Sequence, residues 1–462
     1  MVVPTREEPV QAAREAPRLD EGPVAAFRSQ FRGEIIQPGD AAYDAARRVW
    51  NGAIDRRPAL VARATGVADV RATIRFARER DLPLAVRGGG HNVAGTAVCD
   101  RGVVLDCGPM KGVRVDPASR TVRAQAGLLW SELDRETQVF GLATTGGIIS
   151  HTGIAGLTLG GGLGWLMRKH GLTADNLLSA DVVTAEGECV RASEREHADL
   201  FWGLRGGGGN FGVVTSFEYR LHAGYRNVLA GVILHPAARA REVLSFYREY
   251  IASAPDELMT VAVLRVAPPA PFFPPAVHGQ PVVVIGACYA GPVEEGERAV
   301  APLRRFGAPL VDVIRPTPYV AQQALLDATA PHGLSYYWKS EYLPPLSDAL
   351  IETLIEHAWR AATPESYTIL FHMGGAVASA DPQASAFEDR RATHAMVIDA
   401  VWSVPARAAD CIAWTRTFWE AVHPHATGRL YVNFLGEEGP DRVRAAYGAA
   451  KYERLQALKR TY

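Results

Sequence analysis

Short apolar stretches punctuated by glycine set the pattern of the first half of the chain. Leu60 to Arg63 predicts a strand, and Val67, Val70, Ile74 and Ala77 then recur at helical spacing. Leu82 to Val86 predicts a second strand, running directly into Gly88-Gly89-Gly90-His91. That order is a β-α-β unit with a glycine loop at the carboxyl end of a strand, where open α/β sheets bind ligands. Gly102 to Asp106, Thr121 to Ala124, Ala180 to Thr184 and Val213 to Leu221 predict further strands, and Trp130 to Val139 a helix. After about Gly224 the texture changes. Strand-like runs (Val228 to Leu234, Met259 to Val266, Val282 to Tyr289) alternate with helical ones (Ala237 to Ala252, Glu294 to Phe306, Ser347 to Trp359). Pro268 to Pro275 predicts a long surface loop. Leu430 to Phe434 reads as a strand, and Asp441 to Arg460 as one basic helix.

Composition narrows the class without naming it. At 48% apolar and 21% charged, the 462 residues suit a soluble protein of two to three domains. A formal net charge of -1 gives no field for nucleic acid or an anionic membrane. No run approaches the roughly 18 apolar residues of a spanning helix. Met1 to Asp20 lacks the apolar core of a leader and reads as a frayed tail. The five cysteines, Cys99, Cys107, Cys189, Cys288 and Cys411, fall in no metal-binding spacing, so no metal is expected. Scattered thiols without a leader predict a cytoplasmic protein, monomer or homodimer.

The chemistry concentrates in three glycine runs. Arg87 to Gly95 carries His91 at its tip, and side-chain-free residues let backbone N–H groups approach a phosphate. The spacing is not GxGxxG, and no ribose-binding acid follows at about 20 residues, so a Rossmann site fits poorly. Seven glycines lie between Gly146 and Gly162, more than close helix packing needs. Each costs roughly 0.5–1 kcal/mol relative to alanine inside an element. Such density suggests a backbone wrapped around a flat ligand and its pyrophosphate. The third run, Arg205 to Asn210, follows Phe201-Trp202 and precedes a strand, which suggests a nucleotide-facing turn.

These runs as a set carry a resemblance. Arg87-Gly-Gly-Gly-His91-Asn92-x-Ala-Gly95, Gly153-Ile-Ala-Gly156-Leu-Thr-Leu-Gly160-Gly161-Gly162-x-Gly164-Trp with Asp175-Asn176, and Phe201-Trp-x-Leu-Arg205-Gly-Gly-Gly-Gly209-Asn210-Phe-Gly resemble the berberine bridge enzyme-like flavin oxidases of the vanillyl-alcohol oxidase / p-cresol methylhydroxylase (PCMH) superfamily. The match is dense from about Ala53 to Leu221 and resumes at Tyr431-Val-Asn433-Phe and at Ala446 to Tyr462. It implies a two-domain fold: a PCMH-type FAD-binding domain over residues 22–221 and a substrate domain of antiparallel sheet covered by helices over 222–425. A segment over 426–462 returns to the first, and residues 1–21 form the tail. It implies FAD, linked through His91 by an 8α-histidyl bond. Gly88, Gly89, Gly90, Gly146, Gly147, Gly160, Gly161 and Gly162 would lie along pyrophosphate and isoalloxazine, and Arg87, Asn92, Gly95, Thr152, Gly153, Gly156, Gly164, Asp175, Asn176, Tyr431 and Asn433 would also contact the cofactor. Gly209, Asn210, Val213 and Val214 would lie on the adenine side.

Two departures shape the expected chemistry. Many members add a second flavin bond from a cysteine, but Ile149 stands about there, so a single tether is expected. Leu163 and Phe434 stand where members carry tyrosines, leaving Tyr431 as the one phenol at a family base position. Tyr431 reads either as a base or as a packed strand ring. Tyr336, Trp338 and His372 are expected pocket walls. The resemblance implies oxidation of a C–H beside OH or N in a small alcohol, amine or alkaloid-like molecule, as in secondary metabolism. A hydride would pass to flavin N5, and molecular oxygen would yield hydrogen peroxide. A dehydrogenase with another acceptor and a flavin-binding module without turnover are the alternatives.

Overall fold

The computed structural model describes residues 19–269 and 273–462. The expected tail falls largely outside them, as does the middle of the loop predicted over Pro268 to Pro275. The β-α-β reading holds. Strands Leu60–Arg63 and Leu84–Arg87 flank Val103–Asp106, all parallel, with helix Val67–Arg78 as the crossover. Glu34–Ile36 pairs antiparallel on the outer edge of Leu60–Arg63. Val70, Ile74 and Ala77 are buried as their spacing requires, but Val67 is 40% exposed. At that end of the helix the buried residue is Asp69, whose carboxylate accepts from the backbone of Arg32, Gly33 and Thr65.

A second sheet of five antiparallel strands packs beside the first. Its order is Val113–Asp116, Thr121–Gln125, Val213–Arg220, Leu177–Val183, Cys189–Ser193. The third sheet is larger and wholly antiparallel, with central order Asn227–Pro236, Pro281–Tyr289, Leu258–Val266, Tyr367–His372, His394–Trp402, Ser335–Leu343. Residues alternate between its faces. Leu264, Leu370 and Ile398 point to helices Ala240–Ile251, Asp348–Ala358 and Ala408–Val422, where Tyr247, Leu350 and Phe418 complete a core. Val263, Ile369 and Val397 point the other way, toward the glycine-rich half. The chain is thus an α+β protein whose sheet-and-helix unit faces the glycine-rich half. No helix among the described residues is long and apolar enough to cross a membrane.

Two expectations for the C-terminal part need correction. Leu430 to Phe434 is not a strand: Val432–Phe434 forms a single 3-10 turn. The predicted basic helix is two helices, Pro440–Tyr447 and Ala449–Thr461, broken at Gly448 with φ 68°. Glycine adopts that left-handed conformation without steric cost, so the chain turns there.

Buried titratable groups make stability depend on pH. Burial pushes His170 down to about 3 and His222 to about 4. It pushes His372 to about 2, with the neighbouring Arg168 adding to the effect, and His394 to about 4. Each depressed histidine contributes stability that is present above pH 6.5 and is lost as the pH falls toward its folded pKa. Burial raises Asp134 and Asp399 to about 7, so their contribution runs oppositely: full below pH 4, lost as the pH rises through 7. The histidines outnumber the carboxyls. Between about pH 6.5 and 4 the unfolded chain therefore binds about two more protons from these groups. The unfolding temperature should fall on acidification across that window. A midpoint that is flat or rises in melts at pH 7, 5.5 and 4.5 would contradict this balance.

Candidate active site

Between the large sheet and the glycine-rich half lies a cavity of about 2210 Å³. Ordinary small-molecule sites occupy about 300–1,000 Å³, so this one has room for a dinucleotide-sized group and a substrate together. Gly88, Gly89, Gly90, His91 and Asn92 line it, directly after strand Leu84–Arg87. Arg87 and Gly95 do not. The Arg87 guanidinium is buried on Asp106 at 2.9 Å and donates to the Arg48 carbonyl at 3.2 Å, fixing the strand end from behind. A Cβ on Gly95 would meet Ile54 at 2.7 Å, so that glycine serves close packing.

The first loop touches the second glycine region backbone to backbone. A Cβ on Gly89 would sit 2.3 Å from the Gly153 nitrogen, and one on Gly153 would sit 2.3 Å from the Gly89 nitrogen. Neither contact can give, because both atoms are main chain. Gly89→Ala or Gly153→Ala should force these loops apart at a cost of about 1–3 kcal/mol or more. The flavin content of the purified variants should drop. Unchanged content in both would show the loops to be more compliant than their contact suggests.

The second region divides by role. Gly147, Thr152, Gly153 and Gly156 line the cavity, and a Cβ on Gly156 would meet nothing within 4 Å. Gly146, Gly160, Gly161, Gly162 and Gly164 lie behind the wall. A Cβ on Gly164 would overlap the Gly146 carbonyl at 1.5 Å, and one on Gly160 the Asn433 side chain at 2.1 Å. Gly161 has φ 117° and lies against Phe387, while Gly162 has φ 88° and lies against Thr173. Asp175 and Asn176 are structural as well. Asp175 holds Arg390 at 2.7 Å, and Asn176 donates to the carbonyls of His170 and Leu172. In the third run, Gly208, Gly209, Asn210, Val213 and Val214 line the far end of the cavity. Lys459 of the last helix fixes this end by donating to the Asn210 carbonyl at 2.6 Å.

His91 lies against the indole of Trp50, with ring centroids 5.0 Å apart and planes at 16°. Its Nε2 shares a hydrogen bond of 2.8 Å with Nδ1 of His151, and His332 stands edge-on at 5.4 Å between centroids. One nitrogen from each of these imidazoles lies within 4.8 Å of the others. Burial, followed by the neighbouring His151 and His332, holds the His91 pKa well below its ordinary value, so the ring is neutral at pH 7. A neutral imidazole is the form that can act as a nucleophile. Ile149 also lines the cavity. Cys107 lines it elsewhere, but burial raises its thiol to about 12, which keeps it protonated and unreactive.

Tyr431 and Asn433 reach the cavity from the turn after Leu430. The phenol oxygen accepts from the Gly162 N–H at 2.8 Å and from Asn433 Nδ2 at 2.7 Å. Burial outweighs these donors and pushes its pKa up to about 12, so the hydroxyl keeps its proton at pH 7. Across the cavity, strand register sets Arg265, Tyr367, Asp399 and Trp338 in one row over four strands. All four line the cavity. Asp399 is buried with its Oδ1 unpartnered among the described residues. Apart from Trp338, the sequence analysis missed this row, as it missed Trp50, because no pattern within a strand marks which partners its register will bring alongside.

The other two expected pocket walls need correction. His372 lies on the helix-facing side of its strand, with Nε2 3.0 Å from Arg168 Nη1 and Nδ1 3.3 Å from Thr260. The strand alternates, so a residue one step from Phe371 cannot share its face. Tyr336 is 2% exposed, stacks on Trp50 at 3.8 Å and donates to the Pro331 carbonyl. It supports the cavity wall from behind.

Comparison with known proteins agrees with this geometry. Residues 58–193 match the family described as FAD binding domain. A FAD-linked oxidoreductase of Dictyostelium discoideum is 31% identical over 95% of this chain and 94% of its own length. The (R)-6-hydroxynicotine oxidase of Paenarthrobacter nicotinovorans is 36% identical over 62% of this chain and 60% of its own. The crystal structure of 6-hydroxy-D-nicotine oxidase from Arthrobacter nicotinovorans superposes with a TM-score of 0.85 at 28% identity, covering 94% of this chain and 95% of that one. A cavity of dinucleotide size, walled by glycine loops and met by a small-molecule-sized chamber under an antiparallel sheet, belongs to the same picture, and this chain is a member of the FAD-linked oxidoreductases.

Proposed function

We propose that this enzyme oxidises the C–H bond beside nitrogen in a small amine, with FAD attached once, through His91. In this reading residues 22–221 and 426–462 hold the cofactor and residues 222–425 the substrate. The backbone of Gly88 to Gly90, Gly153 and Gly156 would hold pyrophosphate and ring, and Gly209 to Val214 the adenine end. When bound, FAD supplies the two-electron acceptor for a hydride from the substrate carbon and returns the electrons to dioxygen as hydrogen peroxide.

The observation that carries the amine reading is the state of Tyr431. An alcohol must lose its O–H proton as its C–H bond breaks, which calls for a base. The Tyr431 oxygen already accepts two hydrogen bonds and its pKa is raised to about 12. It therefore acts as a donor that holds a polar group of the substrate and takes no proton from it. A neutral amine needs no base, because the lone pair on its nitrogen drives the hydride from the adjacent carbon. Across the cavity the indole of Trp338 and the ring of Tyr367 can flank the substrate's other end.

Anaerobic bleaching of the flavin tests the reading. Secondary and tertiary amines, (R)-6-hydroxynicotine among them, should bleach it, and simple alcohols and sugars should not. Faster bleaching by alcohols would overturn the amine reading. Reoxidation in air with release of peroxide distinguishes an oxidase from a dehydrogenase that needs another acceptor.

A further inference from the structure

His151 is the residue that the flavin-attachment reading leaves without a role. It comes from the glycine region, on the loop between Gly147 and Gly153. Ser150 anchors that loop: its N–H and hydroxyl donate to the two carboxylate oxygens of Asp327 at 2.7 and 2.6 Å. Asp327 opens the short segment that leads to His332. Three chain segments thus converge on one cluster. His91 and His151 are half-buried, and His332 is exposed. The rings step from the cavity wall outward, with His151 and His332 centroids 4.9 Å apart.

The 2.8 Å contact between His91 Nε2 and His151 Nδ1 joins two ring nitrogens, so one carries a proton and the other a lone pair. With the proton on His91 Nε2, the lone pair of His91 is on Nδ1. That nitrogen makes no hydrogen bond among the described residues and is the atom free to form a new bond. As it does so, positive charge would build on a half-buried ring unless the Nε2 proton leaves. His151 Nδ1 is in place to take it, and His332 lies on the way to solvent.

We propose that His151 is the positioning residue for self-attachment of the flavin: it fixes His91 with its proton on Nε2 and accepts that proton as Nδ1 bonds to the C8 methyl carbon. The reaction balances as follows. One methyl C–H and the imidazole N–H break, and the Nδ1–C bond forms. The electron pair released passes to the flavin ring, which takes up two protons. Dioxygen then removes two electrons and two protons as hydrogen peroxide, restoring the oxidised ring. The proposal rests on His91 being the attachment point.

The test reads covalent attachment, independent of turnover. Protein is precipitated with acid, and the flavin fluorescence remaining on the denatured polypeptide is followed from cell lysis through incubation with FAD. A parent protein with no retained flavin would refute attachment at His91 itself, a separate failure. His151→Ala should still bind FAD, melt as a folded protein, and attach it about 10²-fold more slowly. Added imidazole, fitting the space left by the missing ring, should restore attachment. His151→Gln keeps an acceptor for the Nε2–H but cannot take its proton, so it should attach as slowly as His151→Ala. Attachment at the parental rate in either variant would overturn the proposal. So would failure of imidazole to rescue an alanine variant that binds FAD.

Discussion

With His91 replaced by alanine, all of the flavin should leave the polypeptide on acid denaturation. The cavity and its glycine walls do not depend on that side chain, so FAD should still bind and the protein should still be yellow. What is lost is the bond. In the parent, a peptide containing His91 should carry the flavin, and no cysteinyl-flavin peptide should be found. Ile149 cannot form such a bond, and the thiol of Cys107 is held protonated by burial. The loss should also slow turnover, because an electron-poor imidazolyl substituent makes the ring a stronger oxidant. Anaerobic reduction of His91→Ala should therefore be slower than that of the parent at saturating substrate. Flavin retained on the denatured variant would sink the single-tether reading.

Tyr431→Phe should lower the rate of flavin reduction by about 10²-fold, as loss of substrate orientation can. The substitution is less conservative than it looks. It removes the acceptor for two buried donors, the Gly162 N–H and Asn433 Nδ2. Leaving buried donors unpaired costs about 1–3 kcal/mol each, so the variant should also melt at a lower temperature. Affinity and rate separate the roles. A donor that orients the substrate should change the reduction rate more than the substrate dissociation constant. A parental rate would make Tyr431 a packing residue. A rise in the parent's rate above pH 8 that vanishes in the variant would instead mark a phenolate base and favour an alcohol substrate.

The glycine runs were legible from sequence because contiguous glycine has few structural uses, and their spacing matched a family. What sequence did not separate was contact from support. Gly156 lines the cavity, whereas Gly160 and Gly164 are glycines because Asn433 and the Gly146 carbonyl come too close for a Cβ. Both demands select the same residue. Arg87, Asp175 and Asn176 misled for a related reason: each orders the segment beside a motif without facing its ligand. The substrate side was least legible. His372 and Phe371 are neighbours in sequence and lie on opposite faces of the sheet. The row from Arg265 to Trp338 exists only through pairing across 135 residues of chain. The helix break at Gly448 was readable in principle, since a glycine inside a basic run is a stop signal.

The two faces of the large sheet divide its evolutionary freedom. Val263, Ile369 and Val397 shape the chamber, while Leu264, Leu370 and Ile398, one residue along each strand, hold the helices. Descendants of such a scaffold can exchange one set without disturbing the other. A new substrate preference can then arise by drift at a few odd-numbered positions, at little risk to folding or to possession of the cofactor.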